Sequence, residues 1–521
     1  MPYEKISENS GWVRRVNLVP PGPGDNTADF ERMAAVLAEG FDKRPVTCGL
    51  HALHGLSQTL RDCGFSAKAV LFPNGAGIEL VAVLPPDDPE PALGLAVDLG
   101  TTRIVMSLID LETGLELAET SFDNPQTEAG PDVLARVHYA ESPEGSERLQ
   151  GLVTEAISAQ ATELARKAGS DSSRIFCAAL AGNTVMTHLF LGLNPKNLIR
   201  EPYIPVVNRP GTFKAADLGL DLAANARVFV FPNVGSYFGG DLVSGILATG
   251  IHESKRPVMM ADVGTNAEVI VGCADWMVGC AGAAGPALEG GVSKMGSTAA
   301  PGAIEYVDFA PLTGELAYKT IGGLPPTGIC GSGVIDLAAA LFLTGRIDLR
   351  GKFAPDACGE NLVEEDGLPA YRLVPAHESA TGRALCFTQP DVDSLTRSKA
   401  AMYTILVTIM RTVGLPFSDL ESFLVAGTFG SNIRPVSAIA IGMIPDLPLS
   451  VYKAVGNTSL KGAALVLSSP KAMSRVNEVA RKITYIELNV NQEFMNRFSA
   501  AKFYPHTDLT RFPSVSARLS R

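Results

Sequence analysis

Two segments of this sequence share an order of residues that strongly constrains the fold: an apolar run, an acidic residue, a glycine and a threonine. The first segment is LGLAVDLGTT from Leu93, and the second is VMMADVGTNAEVIVGC from Val258. In each, a strand-like run reaches a tight turn and continues into a second strand-like run. This distant internal repeat predicts two layered α/β lobes, each of which opens with a β-meander.

The length of the chain and one proline-rich stretch suggest how it divides. The 521 residues exceed what a single hydrophobic core usually supports, which favours about three domains. Residues 85–91 contain four prolines, which disfavour helix and are typical of a linker. We therefore predict a small α+β domain of residues 1–90, a first lobe of 91–256 and a second lobe of 257–521, whose C-terminal segment returns to the first lobe.

Hydrophobic periodicity predicts the principal elements before the second repeat. They are two helices between Asp29 and Arg61, strands at Ala67–Phe72 and Ile78–Leu84, a helix from Gly151 to Gly169, a buried strand at Ile175–Leu180 and a helix from Asn183 to Leu191.

Charge and hydropathy exclude several classes of function. The chain carries 43 basic and 55 acidic residues, a net charge of −12, which disfavours nucleic acid as a partner. No uncharged apolar run reaches the roughly 18–20 residues that a membrane span needs, and residues 1–15 lack the apolar core of a signal peptide. We expect a cytoplasmic protein without a membrane partner.

The eight cysteines are scattered along the chain, which is typical of reduced, structural thiols. Near the N-terminus, Cys48, His51, His54 and Cys63 contain the side chains that bind zinc. The alternative is an amphipathic helix, and we favour it because leucines recur at helical spacing through the same stretch. These leucines are Leu50, Leu53, Leu56 and Leu60.

The first repeat has the side chains of a phosphate site. Its strand leads to Asp98, and Gly100 allows a sharp turn that directs backbone N–H groups outward. Thr101 and Thr102 add hydroxyl groups. Amides, hydroxyls and a carboxylate suit a phosphate with Mg²⁺, which prefers oxygen ligands and retained water. A strand-end turn without any chemistry is the alternative for this motif taken alone.

The second repeat has the same features, and the duplication favours function. It supplies Asp262, Gly264, Thr265, Asn266 and Glu268. Two such turns on opposed lobes can hold one triphosphate from both sides, with Asp98 and Asp262 binding Mg²⁺ through water.

A third glycine motif, FLVAGTFGSNI, follows an apolar run near the C-terminus. Gly427, Thr428 and Gly430 lie in it, and their small size lets the backbone approach a flat ligand such as adenosine closely. The alternative is a tight packing turn between a strand and a helix. A segment rich in small residues, LVSGILATGI from Leu242, predicts a helix that allows close backbone approach. A second segment with many small residues is GNTSLKGAALVL from Gly456.

In this order, the motifs resemble those of the actin, Hsp70 and sugar-kinase ATPase superfamily. DLGTT and DVGTNAE are similar to its two phosphate motifs, VAGTFG to its adenosine motif, and the two small-residue helices to its connecting helices. The resemblance implies a two-lobed α/β fold preceded here by the small N-terminal α+β linker domain.

Longer strings resemble one family, the reductive activators of corrinoid enzymes. They include AGNTVMTHLFLG from Ala181, EPYIP from Glu201, GCAGAAGPALEGG from Gly279, PTGICGSGVIDL from Pro326 and IGMIPDLP from Ile441. Members use ATP to bring an electron from a [2Fe–2S] domain to a Co(II) corrinoid. The resemblance covers about Leu93 to Phe498, and Val16 to Arg61 is similar to the linker domain of that family.

The resemblance implies roles for individual residues. Those implied in ATP binding and hydrolysis are Asp98, Thr101, Thr102, Asp262, Thr265 and Asn266. Gly427 and Gly430 would lie at the adenosine. Glu268, Asp241 and Glu289 are further acidic candidates for catalysis, by holding the metal ion or positioning water.

The chain departs from the family in one respect. A plant-type cluster needs four cysteines at roughly C-x4-C-x2-C with a fourth further on, whereas only Cys48 and Cys63 precede the linker. We therefore expect no iron–sulfur cluster in this chain and an electron supplied by a separate ferredoxin-type carrier. Cys280 and Cys330, although part of family-like strings, are interpreted as small residues packed in glycine turns.

Three functions remain open from the sequence. The leading hypothesis is an ATPase that activates or remodels a corrinoid protein or a corrinoid-dependent methyltransferase. A non-catalytic ATP sensor or scaffold is the second, and a small-molecule kinase with Asp241 as its base is the third. Because family members often dimerise, the resemblance also suggests a homodimer.

Overall fold

The computed structural model describes residues 11–264, 266–283, 293–310, 313–430, 432–487 and 492–520. The chain folds into two compact units. The first contains Met1–Gly250 and Thr458–Lys482, and the second contains Ile251–Asn457 and Ile483–Arg521. The predicted three-part division at 90/91 and 256/257 stays a prediction.

The elements before residue 250 are a mixture of strands and helices. In chain order they are β1 (Val13–Asn17), α1 (Asp29–Glu39), β2 (Val46–Cys48), α2 (Leu50–Asp62), β3 (Ser66–Asn74), β4 (Gly77–Leu84), β5 (Leu93–Leu99), β6 (Arg103–Asp110), β7 (Glu116–Asp123), α3 (Val133–Tyr139), α4 (Pro143–Lys167), β8 (Ile175–Gly182), α5 (Thr184–Phe190), β9 (Gly211–Lys214), β10 (Arg227–Val230) and α6 (Gly240–Thr249).

The second unit begins with strands and continues with mixed elements. They are β11 (Val258–Val263), β12 (Asn266–Gly272), β13 (Met277–Ala283), β14 (Ala303–Phe309), β15 (Leu316–Thr320), β16 (Gly328–Ile329), α7 (Gly331–Leu343), α8 (Pro355–Cys358), β17 (Leu362–Glu365), β18 (Leu368–Val374), β19 (Leu385–Thr388), α9 (Gln389–Val413), β20 (Ser422–Ala426), α10 (Gly427–Gly430), α11 (Pro435–Ala440) and β21 (Tyr452–Gly456).

The C-terminal elements are shared between the two units. The helices α12 (Thr458–Ser468) and α13 (Pro470–Lys482) belong to the first unit. The strand β22 (Ile483–Ile486) and the helices α14 (Gln492–Ala501) and α15 (Pro513–Leu519) belong to the second.

The main sheet of the first unit has the strand order β7-β6-β5-β8-β10-β9. Its three central strands, β5, β8 and β10, are parallel, so their carboxyl ends lie at one edge. All eight residues of β8 are buried, as expected for a central parallel strand covered on both faces. The loops that follow these three strands therefore converge at the same edge.

The main sheet of the second unit repeats this plan with the order β21-β20-β11-β12-β13-β22. The meander β11-β12-β13 corresponds to β5-β6-β7, and β21, β20 and β11 are parallel. The predicted internal repeat and the two meanders are thus confirmed. Two three-stranded sheets, β15-β14-β16 and β17-β18-β19, complete the unit.

The N-terminal elements form a separate four-stranded sheet, with the order β1-β3-β4-β2, within the first unit. A buried ion pair joins it to the main sheet: the Arg227 guanidinium on β10 donates to the Glu79 carboxylate on β4. The Asn225 amide also donates to the Val81 carbonyl (3.2 Å). Polar bonds in a buried setting thus fix one sheet against the other.

Two helices differ from the sequence prediction. The helix expected from Gly151 begins at Pro143 instead, because the Ser142 hydroxyl accepts the Gly145 N–H and Pro143 occupies the first helical position. On α2, the buried residues are Ala52, Leu56 and Leu60, whereas Leu50 and Leu53 are 69% and 39% exposed. The amphipathic helix was predicted correctly, but half of its predicted apolar face was wrong.

No helix in the described ranges combines the length and the apolar character that a bilayer span requires. The side chain of Cys280 lies within β13 rather than in a glycine turn, which corrects the sequence interpretation. Cys330 is buried at the N-terminal cap of α7.

Candidate functional site

In the first unit, candidate residues lie at the carboxyl edge of the main sheet. Asp98 is the penultimate residue of β5 and pairs with Ala181 on β8 and Val105 on β6. At Gly100 a Cβ would lie 2.3 Å from the Arg103 carbonyl oxygen. The turn is therefore closed so tightly that only glycine fits, and Thr101 and Thr102 follow at half-buried and exposed positions.

Asn183, which sequence reasoning did not single out as a site residue, lies beside this turn. Its Nδ2 donates to Thr101 Oγ1 (3.0 Å), while its Oδ1 accepts the Met186 N–H (2.9 Å) and caps α5. The Thr101 hydroxyl accepts from Asn183 and keeps its single proton for another acceptor, such as a phosphate oxygen. In the sequence, this role could have been suggested by the position of Asn183 between a predicted buried strand and a predicted helix.

Asp241 enters the same edge from the loop after β10. It lies in the first turn of α6, and its Oδ1 accepts the Leu242 N–H (2.8 Å). The preceding Gly239 is packed so closely that a Cβ would lie 2.4 Å from Asn183 Cα. The structure thus brings Asp98, Thr101, Asn183 and Asp241 to one edge of one unit.

Ser459, at the beginning of α12, is the second residue missed by sequence reasoning. Its hydroxyl donates to Asp98 Oδ1 over 2.7 Å. Because 361 residues separate the two, no local pattern could have indicated this contact.

The second unit contains its own set of candidate residues, which includes two carboxylates. Asp262 on β11 and Glu268 on β12 are directly opposite in the antiparallel register, so their side chains share one face of the sheet. Both are half-buried. Two carboxylates at such positions repel one another, and a cation between them would relieve that repulsion. Gly264 follows in the turn, Thr265 lies outside the described residues, and Asn266 is described only through its backbone.

The predicted adenosine motif lies at the same edge as Asp262, because Ala426 pairs in parallel with Asp262. Gly427 has φ = 82°, in the left-handed region that favours glycine. A Cβ at Gly430 would lie 2.7 Å from Val425 Cγ1. The backbone is therefore close-packed at Gly430 and left-handed at Gly427, whereas the Thr428 side chain lies outside the described part of the structure.

Gly456 at the end of β21 belongs to this edge as well. It pairs with Ala426 and has φ = 72°. Sequence reasoning used it only as the start of a connecting-helix motif.

The donor set suits a magnesium nucleotide better than a tightly held metal ion. Each unit presents a carboxylate beside a glycine turn, and oxygen ligands of this kind hold Mg²⁺ largely through water and phosphate. Glu289 lies outside the described residues. No group of three or more metal-binding side chains occurs in the described ranges, so Cys48, His51, His54 and Cys63 do not form a described metal centre.

Cys280, which pairs with Val269 beside Glu268, is not suited to redox or metal chemistry. Burial and the nearby Glu268 carboxylate raise the pKa of its thiol to about 12. The thiol therefore stays protonated at neutral pH.

Comparison with known protein families identifies the class of protein to which this chain belongs. Family models match three consecutive stretches of the chain. They are the RACo linker region at residues 10–90, the RACo middle region at 93–254 and the C-terminal domain of RACo, the ASKHA domain, at 256–516. The fold therefore belongs to the ASKHA class, and the predicted actin-, Hsp70- and sugar-kinase-like α/β architecture with an N-terminal linker region is confirmed.

Two similar proteins have names that refer to the activation or the reduction of corrinoid proteins. The corrinoid activation enzyme RamQ of Eubacterium limosum is 33% identical over 432 residues, which are 81% of this chain and 72% of RamQ. A [Co(II) methylated amine-specific corrinoid protein] reductase of Methanosarcina barkeri is 26% identical over 436 residues, 77% of this chain and 75% of that protein.

One solved structure is also similar to this chain. It is a reductive activator for a corrinoid, iron–sulfur protein, with a TM-score of 0.87 and 36% identity over 99% of this chain and 82% of that chain. This chain belongs to the RACo family, whose relatives named above are corrinoid activation enzymes.

Proposed function

We propose that this protein binds and hydrolyses Mg-ATP and thereby activates a corrinoid protein or a corrinoid-dependent methyltransferase. Membership of the RACo family carries the proposal, because the relatives named above act on corrinoid proteins. The reaction served is the one-electron reduction of Co(II) to Co(I) in the partner. We expect this to occur in the cytoplasm.

The two repeated turns support the nucleotide part of the proposal. Asp98 and Asp262 would hold the magnesium ion through water, and the Thr101 and Thr102 hydroxyls with Gly100 and Gly264 would contact phosphate oxygens. Thr265 and Asn266 are proposed to do so from the second unit. Gly427, Thr428 and Gly430 would lie against the adenosine. Glu268, Asp241 and Glu289 would position the metal ion or the attacking water.

The electron would come from a separate reduced ferredoxin-type carrier. Only Cys48 and Cys63 occur among residues 1–90, which is two fewer than a plant-type cluster needs. Burial, with a contribution from the Glu79 carboxylate, raises the pKa of Cys48 to about 11, so its thiol is protonated at neutral pH. We also expect the homodimer suggested by the family, which sedimentation would test.

The test is ATP hydrolysis with and without a Co(II) corrinoid protein from the same organism, in the presence of reduced ferredoxin, while Co(I) absorption is recorded. We expect ATP-dependent Co(I) formation. Asp98→Asn and Asp262→Asn should each lower the rate at least 100-fold, because each removes a charge from the metal site.

The control is Asp221→Asn, which removes one carboxylate from an exposed loop position and should leave the rate unchanged. Tight ATP binding with neither hydrolysis nor cobalt reduction would instead support a sensor or scaffold. ATP turnover that requires a small metabolite and Asp241, but no corrinoid protein, would support a kinase.

A further inference from the structure

Ser459 holds an unusual position for a residue in a helix that packs through small side chains. It is the second residue of α12, its relative exposure is 5%, and its hydroxyl donates to Asp98 Oδ1 over 2.7 Å. A buried hydroxyl directed at a carboxylate makes a charge-assisted hydrogen bond, which is stronger and more directional than a neutral one.

The backbone of Ser459 is fixed by a second hydrogen bond. The Ser244 hydroxyl on α6 donates to the Ser459 carbonyl oxygen (2.7 Å), and Ser244 is fully buried. One turn further along α12, a Cβ at Gly462 would lie 2.1 Å from the Ser244 carbonyl oxygen. The two helices therefore approach closely only because position 462 is glycine.

These contacts connect two of the candidate carboxylates within the first unit. Asp241 lies in the first turn of α6, Ser244 lies one turn later on the same helix, and Ser459 joins Ser244 to Asp98. The Asp98 carboxylate is thus oriented by a hydroxyl whose own position is set by α6. Groups that orient a metal-binding side chain in this way commonly change metal affinity 10- to 100-fold when they are removed.

We propose that Ser459 is a positioning residue for Asp98, which fixes the orientation of that carboxylate toward the magnesium ion of the bound nucleotide. This inference rests on the proposed function and adds a residue that acts on the metal through Asp98. The cost of losing Ser459 should therefore appear in metal affinity rather than in the affinity for the nucleotide base.

The test uses Mn²⁺ as a paramagnetic substitute for Mg²⁺ and follows its binding by electron paramagnetic resonance at saturating ATP. In Ser459→Ala we expect the dissociation constant for Mn²⁺ to rise about tenfold. The control is Ser468→Ala on the same helix, where the hydroxyl donates back to the carbonyls of Ala464 (3.0 Å) and Leu465 (3.2 Å), and it should bind Mn²⁺ like the wild type.

A double-variant comparison tests whether Ser459 acts through Asp98. In an Asp98→Asn background, Ser459→Ala should cause no further loss of Mn²⁺ affinity. A full additional loss would overturn the proposal. So would a Ser459→Ala variant that melts at a lower temperature but binds Mn²⁺ like the wild type, because the serine would then serve stability alone.

The two proposals fail in different ways. If the wild-type protein shows no ATP-dependent Mn²⁺ binding, the proposed nucleotide site is wrong and the role of Ser459 is wrong with it. If the wild type binds and Ser459→Ala binds equally well, only the role of Ser459 is wrong.

Discussion

His506 shows how a single buried side chain acquires a pH-dependent role in stability. Its Nδ1 accepts the Asp508 N–H (2.9 Å), and its ring lies 5.6 Å from that of Tyr403 and 6.4 Å from that of Phe512. Burial lowers the pKa of His506 from 6.5 to about 4, with the positive charges of Arg511 and Lys399 contributing and Asp508 opposing. The imidazole is therefore neutral in the folded chain.

This pKa predicts a loss of stability in acid. Between pH 6.5 and pH 4 the unfolded chain binds a proton at His506 that the folded chain does not, so the free energy of unfolding falls as the pH falls. The contribution lost is at most roughly 3 kcal/mol. His506→Asn, which keeps an acceptor but does not titrate, should flatten the pH dependence of hydrogen exchange in residues 500–512.

The control for this prediction is His377→Asn, because His377 has a side chain that is 80% exposed. It should leave the pH dependence as in the wild type. Equal slopes in the wild type and His506→Asn would show that another group causes the effect.

At the scale of elements, the close packing of α6 against α12 depends on glycine at position 462, because glycine has no side chain. Gly462 lies against the Ser244 carbonyl oxygen, and the Ser244 hydroxyl bonds to Ser459. Any side chain at 462 would push the helices apart at the level of that bond.

Gly462→Ala should therefore destabilise the first unit by about 1–3 kcal/mol through overpacking, although alanine favours helix more than glycine does. The matched control is Gly151→Ala on α4, where the nearest atom to the added Cβ would be Glu155 Oε1 at 3.8 Å. There the substitution should stabilise by up to about 1 kcal/mol. The measurement is the denaturation midpoint of the wild type, of Gly462→Ala and of Gly151→Ala. Equal midpoints would contradict the overpacking argument.

The elements also show what the sequence could predict. Apolar periodicity and turn glycines were sufficient to predict the repeated meander and the helices α1 and α2. They also placed Asp98 and Asp262 correctly at the ends of strands. Periodicity could not tell which face of α2 has a neighbour, so Leu50 and Leu53 were assigned to the wrong face. Contacts across the chain were invisible, because Thr101 and Asn183 are 82 residues apart and Asp98 and Ser459 are 361 apart.

At the scale of the whole molecule, candidate residues occur in both units. Asp98 and Thr101 belong to the first unit, and Asp262 and Gly427 belong to the second. The covalent connections between the units follow Gly250, Asn457 and Lys482. If the proposed function is correct, one nucleotide contacts residues of both units and affects two regions that are far apart in sequence.

We therefore expect Mg-ATP to slow amide hydrogen exchange in residues 96–104 and in residues 424–432 together. Adenosine alone should protect only the second of these segments, because it has no phosphate for the turn after β5. The measurement is exchange followed by mass spectrometry, with residues 155–165 of α4 as an internal control. Protection of the second segment alone by Mg-ATP would contradict a site shared by both units.

The buried pair of Glu79 and Arg227 has a consequence for how such a chain can evolve. Each member lies in a different sheet, and breaking such a pair on one side leaves an uncompensated charge, at a cost of about 3–5 kcal/mol. An exchange of gene segments at the linker near residue 90 would bring in a new β4 without the partner of Arg227. The two sheets should therefore be inherited together, and replacements of Glu79 and Arg227 should arise as a coordinated pair.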